Sequence, residues 1–261
     1  MPSDPEKAVV QLETGPMRYS DVGSGPVIVA VHGSPGSGRD FRWLAPVLEP
    51  HCRVIRIDQS GHGDTPPHGR SHWTVGGRAR LLAAFLEAMD LIDVTLVGHS
   101  MGGPVCFEAA LLAPDRVGRI ACISSLGMRK HQLLRGMPAR TASIALLTPI
   151  LGRMLMPGLR RGMKASGFSA STPDHEAADS LHTIARVDFS KRAASVVAYA
   201  ATGLPTFVAW AENDPIIEPA IYKELAESLP PGPRLPFPNG GHNPQKAHAV
   251  EIGEALLAWP A

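Results

Sequence analysis

The chain has 261 residues, 44% of them hydrophobic, enough for a sizeable interior in one α/β core or in a core with an insertion. A formal net charge of +1 gives no global electrostatic case for nucleic acid. Three cysteines, Cys52, Cys106 and Cys122, lie in apolar runs without metal spacing, so buried free thiols in a reducing compartment are expected. Residues 1–7 lack the basic-then-apolar pattern of a secretion signal, and no apolar run is long enough to span a bilayer, so the expected location is cytoplasmic.

In chain order, residues 9–13 and 17–20 flank Gly15-Pro16 and predict a hairpin. Val27–Val31 is a continuous apolar run, as a strand buried on both faces requires. The loop His32-Gly33-Ser34-Pro35-Gly36 follows, able to present backbone N–H groups to an anion. Residues 40–48 predict a short helix with Phe41, Leu44 and Leu48 on one face. Arg53–Ile57 is the next strand, and residues 75–89 form a helix, with Leu81, Leu82, Phe85, Leu86 and Met89 at helical spacing.

Residues 94–97 then run as a strand into Gly98-His99-Ser100-Met101-Gly102, and residues 104–112 run out as a helix. Strand, sharp turn and helix around G-x-S-x-G is the context that marks a nucleophilic serine. Such a turn strains the serine backbone and leaves no room for side chains at its flanks, which explains the glycines. Val117–Ile123 is another strand. The alternation argues for a mostly parallel sheet with helices on both faces.

The alternation stops after Ser125. Residues 126–203 predict short helices broken at Pro138, Pro149, Pro157 and Pro173. It resumes with a strand at 206–210, a helix at 219–229, a weak strand near 234–237 among Pro233, Pro236 and Pro238, and a closing helix at 244–258. Asn243 is placed to cap that helix, with Pro244 at its first position. The expected organisation is a core of residues 1–125 and 204–261, with a helical cap of 126–203 inserted after the sixth strand. Asp214, in Asn213-Asp214-Pro215, and His242, in Gly240-Gly241-His242, each follow a late strand. Serine, acid, histidine at successive strand ends is the chain order of hydrolases built on this elbow, and strand ends on one edge of a parallel sheet form the functional edge.

With these motifs in place, the chain resembles the α/β-hydrolase fold superfamily, in its serine-nucleophile, esterase- and lipase-like branch. The resemblance covers about residues 17–259 apart from the insertion. It rests on residues 32–36, the Asp58-Gln59-Ser60-Gly61-His62-Gly63-Asp64 stretch, the elbow, Asp214 and Gly241-His242. It implies Ser100 as nucleophile, His242 as general base and then acid, and Asp214 as the group that orients the imidazole. Backbone N–H groups of Ser34 and Met101 would form the oxyanion hole; fixed donors of that kind are worth roughly 3–4 kcal/mol each. Asp58 matches the family's structural turn, and Asp188 and Glu212 are the competing acids. Dehalogenases and epoxide hydrolases of this fold carry an aspartate where Ser100 stands. Ser34 and Met101 also depart from the proline iminopeptidase pattern.

The implied activity is cleavage of a carboxylic ester or related acyl bond in a small-molecule substrate through an acyl-enzyme. No cofactor, metal, nucleic acid or integral membrane segment is implied. Two alternatives stay open: hydrolysis of a carbon–carbon bond next to a ketone, and a non-catalytic ligand receptor on a hydrolase fold. From Arg129 to Lys164 the insertion holds eight Lys or Arg residues and no Asp or Glu, interleaved with Ile, Leu and Met. That composition predicts either an ordinary cap with a solvated charged face or a basic rim that attracts anionic substrates or lipid surfaces.

Overall fold

The computed structural model describes residues 4–135, 139–165, 168 and 172–259. Strands β1 (Ala8–Leu12) and β2 (Gly15–Val22) form the opening antiparallel hairpin. β3 (Val27–Val31), β4 (Arg53–Ile57), β5 (Val94–His99), β6 (Val117–Ile123), β7 (Thr206–Ala211) and β8 (Arg234–Phe237) run parallel to one another. The order across the sheet is β1-β2-β4-β3-β5-β6-β7-β8, with β2 antiparallel to β4. β3 and β5 therefore sit near the centre, and the chain reverses its direction of winding between them, which opens a crevice at their C-terminal ends.

Side chains alternate across each strand, so the sheet feeds two cores. Val29, Val31, Ile55 and Ile57 enter one; Ile28, Ala30 and Val54 enter the other. α1 (Ala45–Leu48) lies on the second face, where Phe41, Leu44 and Leu48 are buried. α2 (Val75–Ala88) and α3 (Gly102–Leu112) cover the first, with Phe85 and Phe107 fully buried. Between β6 and β7 come α4 (Ala139–Leu146), α5 (Pro149–Ala165), α6 (Asp174–Ala185) and α7 (Phe189–Ala200). Of these α7 packs into the first core through Val196 and Tyr199, α5 and α6 line a cavity that reaches Ser100, and α4 packs against α5 and α6. α8 (Pro219–Glu227) joins the first core through Tyr222; α9 (Pro244–Ala247) and α10 (Ala249–Ala258) close the chain, with Ile252 and Leu256 in the second.

Three local expectations are corrected. The helix expected over 40–48 is a 3-10 turn at Gly38–Phe41 followed by α1, because Pro46 has no N–H to continue a ladder begun upstream. The closing helix is two helices that meet at His248, and Asn243 occupies the cap position without a capping side-chain bond. Pro157 lies inside α5 and does not end it. That stretch of α5 is exposed, so water can take the carbonyl that the proline leaves unpaired. Pro149 does open α5 and Pro173 does sit at the start of α6. The break expected at Pro138 lies outside the described residues. All three cysteines are buried and unbridged.

Candidate active site

Ser100 sits at the tip of the turn between β5 and α3 with φ of +52°, in the left-handed region. Its N–H donates to Ile123 O at 3.0 Å, and its carbonyl accepts from Gly103 and Leu126 at 3.2 Å each. A Cβ on Gly98 would lie 2.7 Å from the Gly103 backbone, and one on Gly102 would lie 2.1 Å from Val31 O. Backbone cannot swing aside as a side chain can, so both positions demand glycine. The turn therefore holds the hydroxyl above the sheet at the N-terminal end of α3.

The loops after β7 and β8 bring the other two residues to it. His242 Nε2 is 2.9 Å from Ser100 Oγ, and His242 Nδ1 is 2.7 Å from Asp214 Oδ2. Both bonds are satisfied when Nδ1–H donates to the carboxylate and Nε2 accepts from the serine. Asp214 is itself gripped: Oδ1 accepts from the amides of Ile216 (2.7 Å) and Ile217 (3.1 Å), and Oδ2 accepts from the Tyr222 hydroxyl at 2.5 Å. Burial pushes the Asp214 carboxyl up, but the bonds from His242, Tyr222 and the Ile216 amide together outweigh it and hold the pKa below the usual value. Burial and the adjacent Asp214 charge raise the Tyr222 phenol well above its ordinary range, so it stays a donor.

Two further histidines support or flank this chain of bonds. His99, the variable residue inside the elbow, donates Nε2–H to the His242 carbonyl at 2.8 Å. Burial, with the neighbouring His242 charge, drops its pKa to about 3, so it is neutral. His131 opens the 3-10 turn at Gln132–Leu134, is 3% exposed, and has an Nδ1 without a hydrogen-bond partner among the described residues. Burial first, then the His242 charge, lowers its pKa to about 4. No local sequence signal marks His99, His131 or Tyr222; with 11 histidines present, only the tertiary packing separates these two from the rest.

The loop after β3 approaches from the other side. His32 Nε2 accepts the Gln59 amide at 2.9 Å and Gln59 Nε2 donates to the His32 carbonyl at 2.5 Å, which fixes the loop. The Ser34–Pro35 peptide is cis. Ser34 and Met101 both border the cavity at Ser100, and among the described residues neither backbone N–H has a protein acceptor. Two unanswered amides beside a serine hydroxyl are suited to an oxygen that gains negative charge. The Ser34 hydroxyl is occupied elsewhere, 3.0 Å from His62 Nε2 and 3.1 Å from Ser180 Oγ of α6.

Three other carboxylates engage other partners. Asp58 accepts from the Gly38 amide at 2.8 Å, the Asp64 amide at 2.9 Å and Lys7 at 2.6 Å, holding its turn. Asp188 caps α7 through the Ser190 and Lys191 amides. Glu212 accepts from Trp210 Nε1 at 3.1 Å and pairs with Lys223.

Two cavities meet at Ser100, and His242 borders both. The first, of about 450 Å³, is walled by Leu126, Leu159, Met163, Ile184 and Ile217. The second, of about 410 Å³, is polar and includes Arg39, Arg42, Lys246, Asp40 and Glu176. Asp40 pairs with Lys246 at 2.9 Å, and Arg42 Nε is buried without a partner among the described residues. Among those residues, no group of three or more His, Cys, Asp or Glu side chains gathers as a metal site.

A model of the alpha/beta hydrolase fold matches residues 26–249. A 2-hydroxy-6-oxo-2,4-heptadienoate hydrolase of Pseudomonas putida is 39% identical over 123 residues, a stretch that spans 46% of this chain and 44% of that protein. A 2-hydroxy-6-oxononadienedioate/2-hydroxy-6-oxononatrienedioate hydrolase of Paraburkholderia xenovorans is 27% identical over 94% of this chain and 90% of its own length. Among solved structures, an esterase of Thermogutta terrifontis superposes with a TM-score of 0.75 over 97% of both chains at 20% identity, a likeness of fold. With a matching family model over most of its length, an eight-stranded mostly parallel sheet and hydrolases among its relatives, the chain belongs to the alpha/beta hydrolase fold family.

Proposed function

We propose that the chain is a serine hydrolase that cleaves a carboxylic ester or related acyl bond through an acyl-enzyme. The observation that carries this reading is the continuous hydrogen-bonded series Ser100–His242–Asp214, opening on a cavity beside two undonated amides. Ser100 Oγ attacks the acyl carbon while His242 Nε2 takes its proton. The carbonyl oxygen becomes an oxyanion between the N–H groups of Met101 and Ser34. His242 then protonates the leaving group as the bond breaks. In the second half, water attacks the acyl-enzyme, its proton again passing through His242, and the acid is released. Asp214 orients the imidazole and stabilises its charged form. Helices α4 to α6 act as the cap, the apolar chamber takes the acyl part and the polar chamber the leaving group of a small-molecule substrate.

The test is Ser100→Ala, which removes turnover and covalent labelling by an active-site phosphonate while the folded state persists. Stoichiometric labelling at another serine would refute the assignment.

A second reading has its own support. Two relatives are named for oxo-dienoate substrates, which carry a ketone and a carboxylate. The polar chamber offers Arg39, Arg42 and Lys246 to such a carboxylate. In that case the same serine and histidine cleave a carbon–carbon bond next to the ketone. Parallel assays with a p-nitrophenyl ester and a vinylogous diketone carboxylate separate the two. A diketone kcat/KM far above that for every ester favours the second reading.

A further inference from the structure

We infer that the outer face of α4 and α5 is a docking surface for an anionic lipid bilayer. α5 carries two apolar stripes. One, of Gly152, Met156, Leu159 and Met163, is half-buried and faces the molecule, and Leu159 and Met163 wall the apolar chamber. The other faces solvent: Ile150 is 75% exposed and Met154 72%, with Leu151 and Leu155 beside them, and Leu147 in the turn before α5 and Ile144 on α4 are exposed as well. The other large exposed apolar side chains of the described residues are spread over distant elements. A contiguous apolar patch on one helix pair needs an occupant, whereas scattered exposed residues do not.

The charges around the patch identify the occupant. The structure divides the eight basic residues into two sets. Arg129 pairs with Glu224, Arg135 with Glu218 and Arg160 with Asp174, tying the segment to the core and to α6. Lys130, Arg140, Arg153, Arg161 and Lys164 have no carboxylate partner among the described residues, and no Asp or Glu occurs between Arg129 and Lys164. Arg153 and Lys164 fall on the edge of α5 next to its exposed apolar stripe. An apolar stripe with a cationic edge and no acids is the pattern of a helix that lies in the headgroup region of an anionic membrane. A second copy of the chain fits poorly, because a two-fold contact would set this cationic edge against itself without an acid to answer it. No helix among the described residues is long and apolar enough to cross a membrane, so the contact is peripheral. Docked this way, the inner stripe of the same helix borders the chamber beside Ser100, placing that chamber close to apolar material in the bilayer.

The experiment is cosedimentation of the full chain with vesicles of phosphatidylcholine alone and with added phosphatidylglycerol, at low and high salt. Binding is expected only with the anionic lipid and falls as salt rises. Each cation near an anionic surface contributes about fivefold in affinity, so Arg153→Glu with Arg161→Glu lowers binding on the order of tenfold or more. Ile150→Glu with Met154→Glu removes it. Both double variants keep turnover of a soluble ester, since none of these side chains lines either cavity. Absence of binding at low salt, equal binding to zwitterionic vesicles, or unchanged binding by both double variants overturns the inference. So does a concentration-dependent dimer that Ile150→Glu with Met154→Glu dissolves, which would assign the patch to a second copy. The binding readout needs no catalysis, so it fails or succeeds independently of the proposed reaction.

Discussion

Tyr222→Phe isolates one bond in the proposed relay. The tyrosine is fully buried and its hydroxyl donates to Asp214 Oδ2 at 2.5 Å, the same oxygen that meets His242. Phenylalanine keeps the ring and removes only that donor. A hydrogen bond to a charged group is worth roughly 1.5–3 kcal/mol. Asp214 keeps its bonds from His242, Ile216 and Ile217, so part of that energy remains compensated. The carboxylate left behind carries more effective charge and stabilises the His242 imidazolium. Its conjugate base is the form that accepts the Ser100 proton, so the acid limb of kcat/KM moves to higher pH. A change of about 1.4 kcal/mol corresponds to one pH unit, so the limb should move by up to about one unit, with little change on the alkaline plateau. The assay is a pH profile of a soluble ester for wild type and variant, with urea unfolding as a control on stability. A variant with an unmoved acid limb would refute the idea that Tyr222 tunes Asp214. A limb that moved downward would refute the electrostatic reasoning itself.

Acid should unfold the protein early. His99 and His131 hold folded pKa values of about 3 and about 4 against an ordinary 6.5, so the unfolded chain takes up their protons first. Their full stability is present above about pH 6.5 and is lost as pH falls through the window down to those folded values. At pH 5 the two together remove on the order of 4 kcal/mol, and equal urea midpoints at pH 7 and pH 5 would contradict this. Gly102→Ala should cost at least about 2–3 kcal/mol or abolish soluble expression, because its Cβ would lie 2.1 Å from Val31 O. Gly158→Ala meets nothing within 4 Å in α5 and should raise stability by up to about 1 kcal/mol; thermal melts compare the pair. Filling the apolar chamber with Leu159→Trp should shift preference toward short acyl esters. Each lost methylene contact is worth up to about 0.8 kcal/mol, and an unchanged chain-length series would place the acyl group outside that chamber.

The sheet-forming segments and their mostly parallel arrangement are legible in the sequence, since alternation of apolar strands and amphipathic helices is a local signal; the strand order is not. The sequence also singles out Ser100, Asp214 and His242, side chains that the structure joins by hydrogen bonds, because each sits at a strand end where glycine or turn chemistry marks the chain. It misplaced what depends on backbone continuity: the helix split before Pro46, the break at His248, and the survival of α5 through Pro157. The structure alone decided which buried groups surround Asp214 and His242. Tyr222 lies on α8, His99 on β5 and His131 in the segment after β6, and nothing local distinguishes them from ordinary core residues. The structure likewise pairs Arg129, Arg135 and Arg160 with acids, while Lys130, Arg140, Arg153, Arg161 and Lys164 meet no carboxylate among the described residues. Composition counts charges and periodicity assigns them to faces. Which face meets the core, a carboxylate or solvent depends on contacts between residues far apart in the chain, and those exist only once the chain has folded.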